Sequence, residues 1–243
     1  MKHSIFLINL DRSHERLANA TSQLISSGCE FERISAVDGK TLSDSDINKY
    51  FDKKKASARY HYNLTIGEIG CYLSHIKCWE KIVKDDLDFA VILEDDLVLD
   101  SNFKEVIEAI PSLSTNWHYL KLSCPFKHRP YESIEQTKTR NGTDVSLVKY
   151  NKPPTGTVAQ VVSREGAKRL LEKKPPFFRP IDVDLQWHWE LSIKVNGITP
   201  YIANISGEPS EIQQMAARKN VKKRPFNKLK ETVKFKILNK LAG

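Results

Sequence analysis

The sequence has only four cysteines and ten glycines in 243 residues, and it carries none of the glycine-rich phosphate signatures. Cys29, Cys71, Cys78 and Cys124 are scattered, which excludes a disulfide framework and makes reduced thiols the expectation. In that setting the sequons at Asn63, Asn141 and Asn204 are silent. No G-x-x-x-x-G-K-[ST] or G-x-G-x-x-G is present, nor a nucleophile elbow or a kinase signature. The longest apolar run, Phe89 to Leu93, stops at Glu94, Asp95 and Asp96, far short of the roughly 18 to 20 residues that cross a bilayer. The apolar stretch after Met1 is too short for a signal sequence and reads as the first strand of a cytosolic protein. No repeat or low-complexity segment appears. A composition of 40% hydrophobic and 28% charged residues is that of a globular protein with room for a sizeable core.

Acidic charge is missing from one end of the chain. The net charge is +8, yet from Arg218 to Gly243 ten Lys or Arg face a single acid, Glu231, so residues 1–217 are close to neutral. Pro225 suits a first helical turn, and Leu229, Val233, Ile237 and Leu241 recur every four residues among lysines, with Phe235 and Leu238 widening the apolar face. The division is therefore a folded body over 1–217 and a basic amphipathic tail over 218–243. Such a tail fits an anionic membrane surface; a solvated basic tail is the plainer alternative. Nucleic acid is not expected as a partner, because no basic, aromatic-studded face matches the tail.

Along the body, Ser4 to Asn9, an amphipathic stretch from Arg12 to Ser26 and Phe31 to Val37 read as strand, helix and strand, a βαβ opening to a parallel sheet. Asp38-Gly39 closes the second strand. A helix over Ser43 to Tyr50 is followed by a polar, basic loop from Asp52 to Asn63. Thr65-Ile66-Gly67-Glu68 has the pattern of a capping box, opening a helix with Ile66, Ile69, Leu73, Ile76 and Val83 as its buried stripe. Phe89 to Leu93 reads as a strand buried on both faces. Trp117 to Leu122, Val145 to Tyr150 and Thr157 to Val162 are further strands, and Ser163 caps a helix through Leu171, in a second half expected to be less regular.

Three groups of residues point to chemistry. Glu94, Asp95 and Asp96 leave a buried strand together, where ligands bind in open α/β sheets. Adjacent carboxylates repel unless protonated or bridged, and hard oxygen ligands suit Mg²⁺ or Mn²⁺; a solvated acidic turn is the alternative. Asp182 and Asp184 lie between an aromatic, proline-rich segment and Trp187-His188-Trp189. Either could be a general base for a hydroxyl, or both could simply complement a helix dipole. His188 is a candidate additional metal ligand or a packed side chain. Cys71, His75 and Cys78 share one helix face, where packing is preferred to a soft metal site.

The blocks Ile5 to Arg16 (IFLINLDRSHER), Arg33 to Gly39 (RISAVDG), Thr65 to His75 with Trp79 (TIGEIGCYLSH…W), Ile92 to Asp96 (ILEDD), Gly156-Thr157 and Pro180-Ile181-Asp182, in this order over residues 4–190, resemble glycosyltransferase family 25. This is the lipooligosaccharide galactosyltransferase family, with animal relatives that glycosylate collagen. The resemblance implies a GT-A-like fold, that is, an α/β Rossmann-type mixed sheet flanked by helices. It also implies a UDP-sugar donor, most often UDP-galactose, a Mn²⁺-type ion and inversion at the anomeric carbon. Asn9, Leu10, Arg12, Val37, Asp38 and Gly39 would frame the uridine and ribose. Glu68, Ser74 and His75 would support the pocket. Glu94, Asp95 and Asp96 would hold metal and diphosphate, with Glu standing where the family's acidic motif starts with Asp. Asp182, with Asp184 beside it, would serve the acceptor hydroxyl. The expected acceptor is a glycan or lipid-linked oligosaccharide at the cytoplasmic face of a bacterial inner membrane, with the tail docked on the lipid. A metal-dependent sugar nucleotidyltransferase and a non-catalytic lipid- or nucleic-acid-binding protein are the competing readings.

Overall fold

Alternation of apolar residues with period two decides the layers. The computed structural model describes residues 1–207 and 223–242. In β1 (His3–Asn9), Phe6 and Ile8 face one core while Ile5 and Leu7 face the other; in β3 (Phe89–Glu94), Ala90 and Ile92 oppose Phe89, Val91 and Leu93 in the same way. A strand apolar on both sides must be sandwiched, and helices cover both faces. Between these strands come α1 (His14–Ser26), β2 (Glu32–Ser35), α2 (Asp44–Tyr50), α3 (Lys53–Arg59) and α4 (Ile66–Lys84). After β3 follow β4 (Leu97–Leu99), α5 (Phe103–Ala109), β5 (Tyr119–Lys121), β6 (Tyr131–Lys138), β7 (Asp144–Tyr150), β8 (Ala159–Ser163), α6 (Arg164–Lys173), α7 (Ile181–Gln186), β9 (Val195–Thr199), β10 (Ala203–Ile205) and α8 (Pro225–Ala242).

The main sheet has eight strands in the order β2-β1-β3-β8-β5-β9-β7-β6, with β4 and β10 forming a separate pair. The pairs β2-β1, β1-β3 and β5-β9 are parallel and the other pairs in the main sheet antiparallel. This is the mixed sheet flanked by helices that the family resemblance implied, and the parallel opening read from the residues holds for β2, β1 and β3. Because β8 runs against both β3 and β5, the start of β8 meets the ends of β3 and β5, with Leu93 opposite Ala159 and Lys121 opposite Gln160. One edge of the sheet therefore gathers Asn9, Glu94, Thr157, Gln160 and Lys121.

Helix starts follow their caps. Thr65 and Glu68 form the reciprocal capping box of α4, and Ser163 accepts from the Gly166 amide at the start of α6. Residues 52–63 do not form the expected loop. Asp52 caps Lys55 and starts α3, whose Ala56 is fully buried. The expected strand over Phe31 to Val37 shortens to Glu32–Ser35, because Ala36 onward leaves the sheet to cross α4. Ile66, expected in the buried stripe of α4, is exposed, whereas Ile69, Leu73 and Ile76 are buried. The second half is more regular than expected, with a β6-β7 hairpin and β9 completing the sheet.

The crossing of residues 36–39 over α4 depends on two glycines. A Cβ on Gly39 would lie 2.0 Å from the Ile66 carbonyl oxygen, and one on Gly70 2.4 Å from that of Val37. Backbone meets backbone there, so no side chain can yield. Gly39→Ala is expected to cost about 1–3 kcal/mol in urea unfolding as an overpacking change, and a loss below the error of the measurement would contradict this packing.

Candidate functional site

The strand ends and the glycine crossing enclose a pocket lined by Ile8, Asn9, Leu10, Arg16, Ala36, Val37, Asp38, Gly39, Gly67, Cys71, Ser74, His75, Glu94, Asp95 and Asp96. It holds about 620 Å³ of empty space, part of it open to solvent. Ile8, Leu10, Ala36 and Val37 make an apolar wall, and the three acids stand together on the lining. The Ser74 hydroxyl accepts from the Val37 amide (2.8 Å) and donates to the Gly70 carbonyl (2.8 Å), fixing the 36–39 loop on α4. Arg12 does not line the pocket but pairs with Asp38, which does. Glu68 is also outside the lining; its carboxylate takes the Thr65 amide and the Tyr62 hydroxyl, so it supports the start of α4.

The three carboxylates are held in three different ways. Glu94 Oε1 lies 3.0 Å from His75 Nε2 and accepts from the Thr157 hydroxyl at 2.6 Å. Burial pushes its carboxyl up, but His75, Thr157 and the charge of Lys121 outweigh that and hold it below the usual range. Asp95 accepts from Asn9 Nδ2 at 2.7 Å and pairs with Arg16 at 3.4 Å. Asn9 is itself fixed by Arg33 Nε, 3.0 Å from Oδ1. Asp96 differs from both: its Oδ1 is buried with no hydrogen-bond partner. Burial, with the charges of Glu94 and Asp95 adding and Arg16 opposing, pushes Asp96 up to about 7. A buried carboxylate oxygen without a donor, beside two further carboxylates, suits a hard divalent cation. The residues present therefore fit the metal that the acidic motif implies. The turn that carries them is pinned on its far side by the Ser206 amide donating to the Asp96 carbonyl (2.7 Å) and by the pairing of β4 with β10.

Cys71 and His75 do gather with a third ligand type, but it is Glu94 rather than Cys78, and their ligand atoms lie within 4.8 Å of one another. Cys78 is buried in the core, as packing required. Burial raises the Cys71 thiol well above its ordinary range, with Glu94 adding to it, so it stays protonated.

Asp182 stands at the start of α7 and accepts from the Gly156 amide at 3.2 Å. The carbonyl of the same glycine accepts from Lys121, which is fully buried. Burial pulls Lys121 down to about 8, against the pull of Asp182 and Glu94. Gly156 and Thr157 thus tie Asp182 to Glu94, with Lys121 as the cation behind both. Sequence reasoning missed Lys121 and Arg16. The signal for Lys121, a lysine inside an apolar strand, is visible only once β5 and β8 are paired.

Asp182, like Arg12 and Glu68, is outside the pocket lining, and two further expected site residues are elsewhere. Asp184 is fully buried, with Arg179 Nε 2.7 Å from Oδ1 and the Lys174 ammonium and the Tyr72 hydroxyl each 3.1 Å from Oδ2. Its two oxygens are taken up by a buried ion network, so it holds the segment before α7 and does not face the pocket. His188 lines a different pocket, with Tyr131, Lys149, Tyr150 and Asn239, because the chain turns away after α7 into a single 3₁₀ turn. It is not brought to Glu94, Asp95 and Asp96.

Residues 2–185 match the family model described as "Glycosyltransferase family 25 (LPS biosynthesis protein)". The chain belongs to glycosyltransferase family 25. It is 32% identical over 174 residues to a "Glycosyltransferase 25 family member" of Aedes aegypti, covering 70% of this chain and 28% of that protein. It is 28% identical over 187 residues to "Procollagen galactosyltransferase 2" of Mus musculus, covering 74% and 29%. This family 25 chain thus spans less than a third of the length of those relatives. A solved Drosophila β1,4-galactosyltransferase 7, described as a complex with manganese, UDP-Gal and xylobiose, covers 86% of this chain and 69% of its own at 14% identity and a TM-score of 0.39, too distant to carry an argument.

Two outcomes follow from the geometry. Below about pH 7 the native Asp96 keeps a proton that an unfolded Asp has lost above its ordinary pKa of 3.8, so this group's contribution to stability falls as pH rises from about 4 to 7. In EDTA, Asp96→Asn should therefore gain stability relative to the unsubstituted protein across that window, and Mn²⁺ should restore only the latter; parallel pH curves would contradict the assignment. Asp184→Ala leaves Arg179 and Lys174 without their counter-charge and should cost about 3–5 kcal/mol in chemical denaturation. A loss below about 1 kcal/mol would contradict the network, since that is the scale of an exposed pair.

Proposed function

We propose that the chain is a metal-dependent inverting glycosyltransferase that moves a hexose, galactose from UDP-galactose, onto a hydroxyl of a glycan or lipid-linked oligosaccharide. The observation that carries this is the buried, unpartnered Oδ1 of Asp96 at the acidic side of a pocket whose other wall is apolar, in a chain of family 25. Ile8, Leu10, Ala36 and Val37 take the uracil, with Asp38 placed for ribose hydroxyls and held by Arg12. Asp96 and Glu94 would hold the cation, Mn²⁺ or Mg²⁺, which when bound would offset the diphosphate charge and stabilise the UDP leaving group.

The remaining work belongs to the side chains. His75 and Thr157 hold Glu94 ionised, and Asn9 and Arg16 keep Asp95 oriented. Asp182, fixed by the Gly156 amide, takes the proton of the acceptor hydroxyl as it attacks the face opposite the UDP. Lys121, bonded to the carbonyl of the same glycine, lies behind that carboxylate. The names of the procollagen galactosyltransferases support galactose as the sugar transferred. A lipid-linked acceptor places the reaction at the cytoplasmic face of a bacterial inner membrane; among the described residues no helix is long and apolar enough to cross one.

The test is UDP release from UDP-galactose and UDP-glucose with a soluble glycan acceptor. Turnover with UDP-galactose should need a divalent ion. Asp182→Asn should lower kcat about 10²- to 10⁴-fold, the range of a lost general base, with UDP affinity little changed. Full activity of Asp182→Asn, or turnover in EDTA, would overturn the assignment.

A further inference from the structure

We propose that α8 is a preformed docking face for an anionic lipid surface. The helix lies against the body by its polar and aromatic side. The Arg224 guanidinium reaches Ser57 and Asn63, Asn227 Nδ2 donates to the carbonyls of Ser57 and Tyr60, and Asn239 Nδ2 donates to that of Asn151. Phe235 inserts at Trp187 and Trp189, with ring centroids 5.4 and 5.2 Å away. Phe235 and Leu238 are half-buried and so leave the outer apolar face that the sequence assigned them to.

The opposite side carries Phe226, Leu229, Val233, Ile237 and Leu241, each between 50 and 80% exposed among the described residues. At 100° per residue, Lys230, Lys236 and Lys240 fall among them, and all three are exposed. The helix's one acid, Glu231, is turned inward, with Oε2 3.4 Å from His61 Nδ1. The outer face therefore combines an apolar row with positive charge and no negative charge, the complement of an anionic headgroup layer over acyl chains. A water-soluble partner protein has no equal need for both features along one straight row. Because the inner face is already bonded to the body, α8 presents this row in a fixed direction and need not fold on the lipid. The inference is independent of the transfer reaction.

The test is co-sedimentation of the full chain with phosphatidylcholine vesicles, with and without phosphatidylglycerol, at low and high salt. Binding should require phosphatidylglycerol and fall with salt. Replacing Lys230, Lys236 and Lys240 by Gln together should weaken it roughly a hundred-fold, about five-fold for each lysine. Leu229→Ser, Val233→Ser and Ile237→Ser together should abolish it, and both variants should keep the unsubstituted unfolding midpoint, since every replaced side chain is exposed. Circular dichroism should show no gain in helix on vesicle addition. Absence of vesicle binding, unchanged binding by the serine variant, or a large gain in helix would overturn the proposal. Self-association in solution that the serine variant loses, without vesicle binding, would assign the face to a second copy of this chain instead.

Discussion

Three carboxylates in consecutive positions at the mouth of a strand buried on both faces repel one another, and much of the architecture answers that repulsion. Glu94 is answered by His75 from α4, Thr157 from the approach to β8 and Lys121 from β5. Asp95 is answered by Asn9 at the end of β1 and Arg16 in α1. Those partners come from five separate segments, and each segment must be in register for its side chain to arrive. Asp96 is left with a buried oxygen and no donor. Among the oxygens of the three carboxylates, this one is buried without a hydrogen-bond partner, and it is the atom that the proposed cation would meet.

The same economy explains the antiparallel placement of β8 between β3 and β5. Had β8 run parallel to β3, its start, with Thr157 and Gly156, would lie at the other edge of the sheet. As built, Gly156 accepts from Lys121 through its carbonyl and donates to Asp182 through its amide, while its neighbour Thr157 donates to Glu94. The acidic side of the pocket and the carboxylate assigned to the acceptor are therefore parts of one bonded chain, although 88 residues separate Glu94 from Asp182 in sequence. Asp184, two residues further, belongs to a different network because about half a helical turn rotates it to the other side of α7, where Arg179 and Lys174 meet it.

What the sequence made legible was what local rules determine. The Thr65 capping box, the Ser163 cap and the doubly buried strand before Glu94 are set by neighbours within a few residues, and all are present in the structure. The acidic motif and the Asp38-Gly39 turn were legible because their residue types are costly without a purpose. Lys121 was not, since a lysine between Leu120 and Leu122 gives no hint that its ammonium is needed until β5 is set beside β8. His188 was misplaced for the converse reason: proximity to Asp182 in sequence does not survive the 3₁₀ turn after α7. The direction of α8 was half legible. Its four-residue apolar period was plain, but which side faces the body depends on Trp187 and Trp189, far away in sequence.

In the proposed reading Asp96 completes a cation-dependent site for a nucleoside diphosphate. Calorimetric titration of UDP into the protein with Mn²⁺, then with EDTA, for the unsubstituted chain and for Asp96→Ala, tests it most directly. Micromolar binding is expected, lost both on removing the metal and on substituting Asp96. Equal binding in EDTA, or an Asp96→Ala protein that binds UDP as well as its parent, would contradict it.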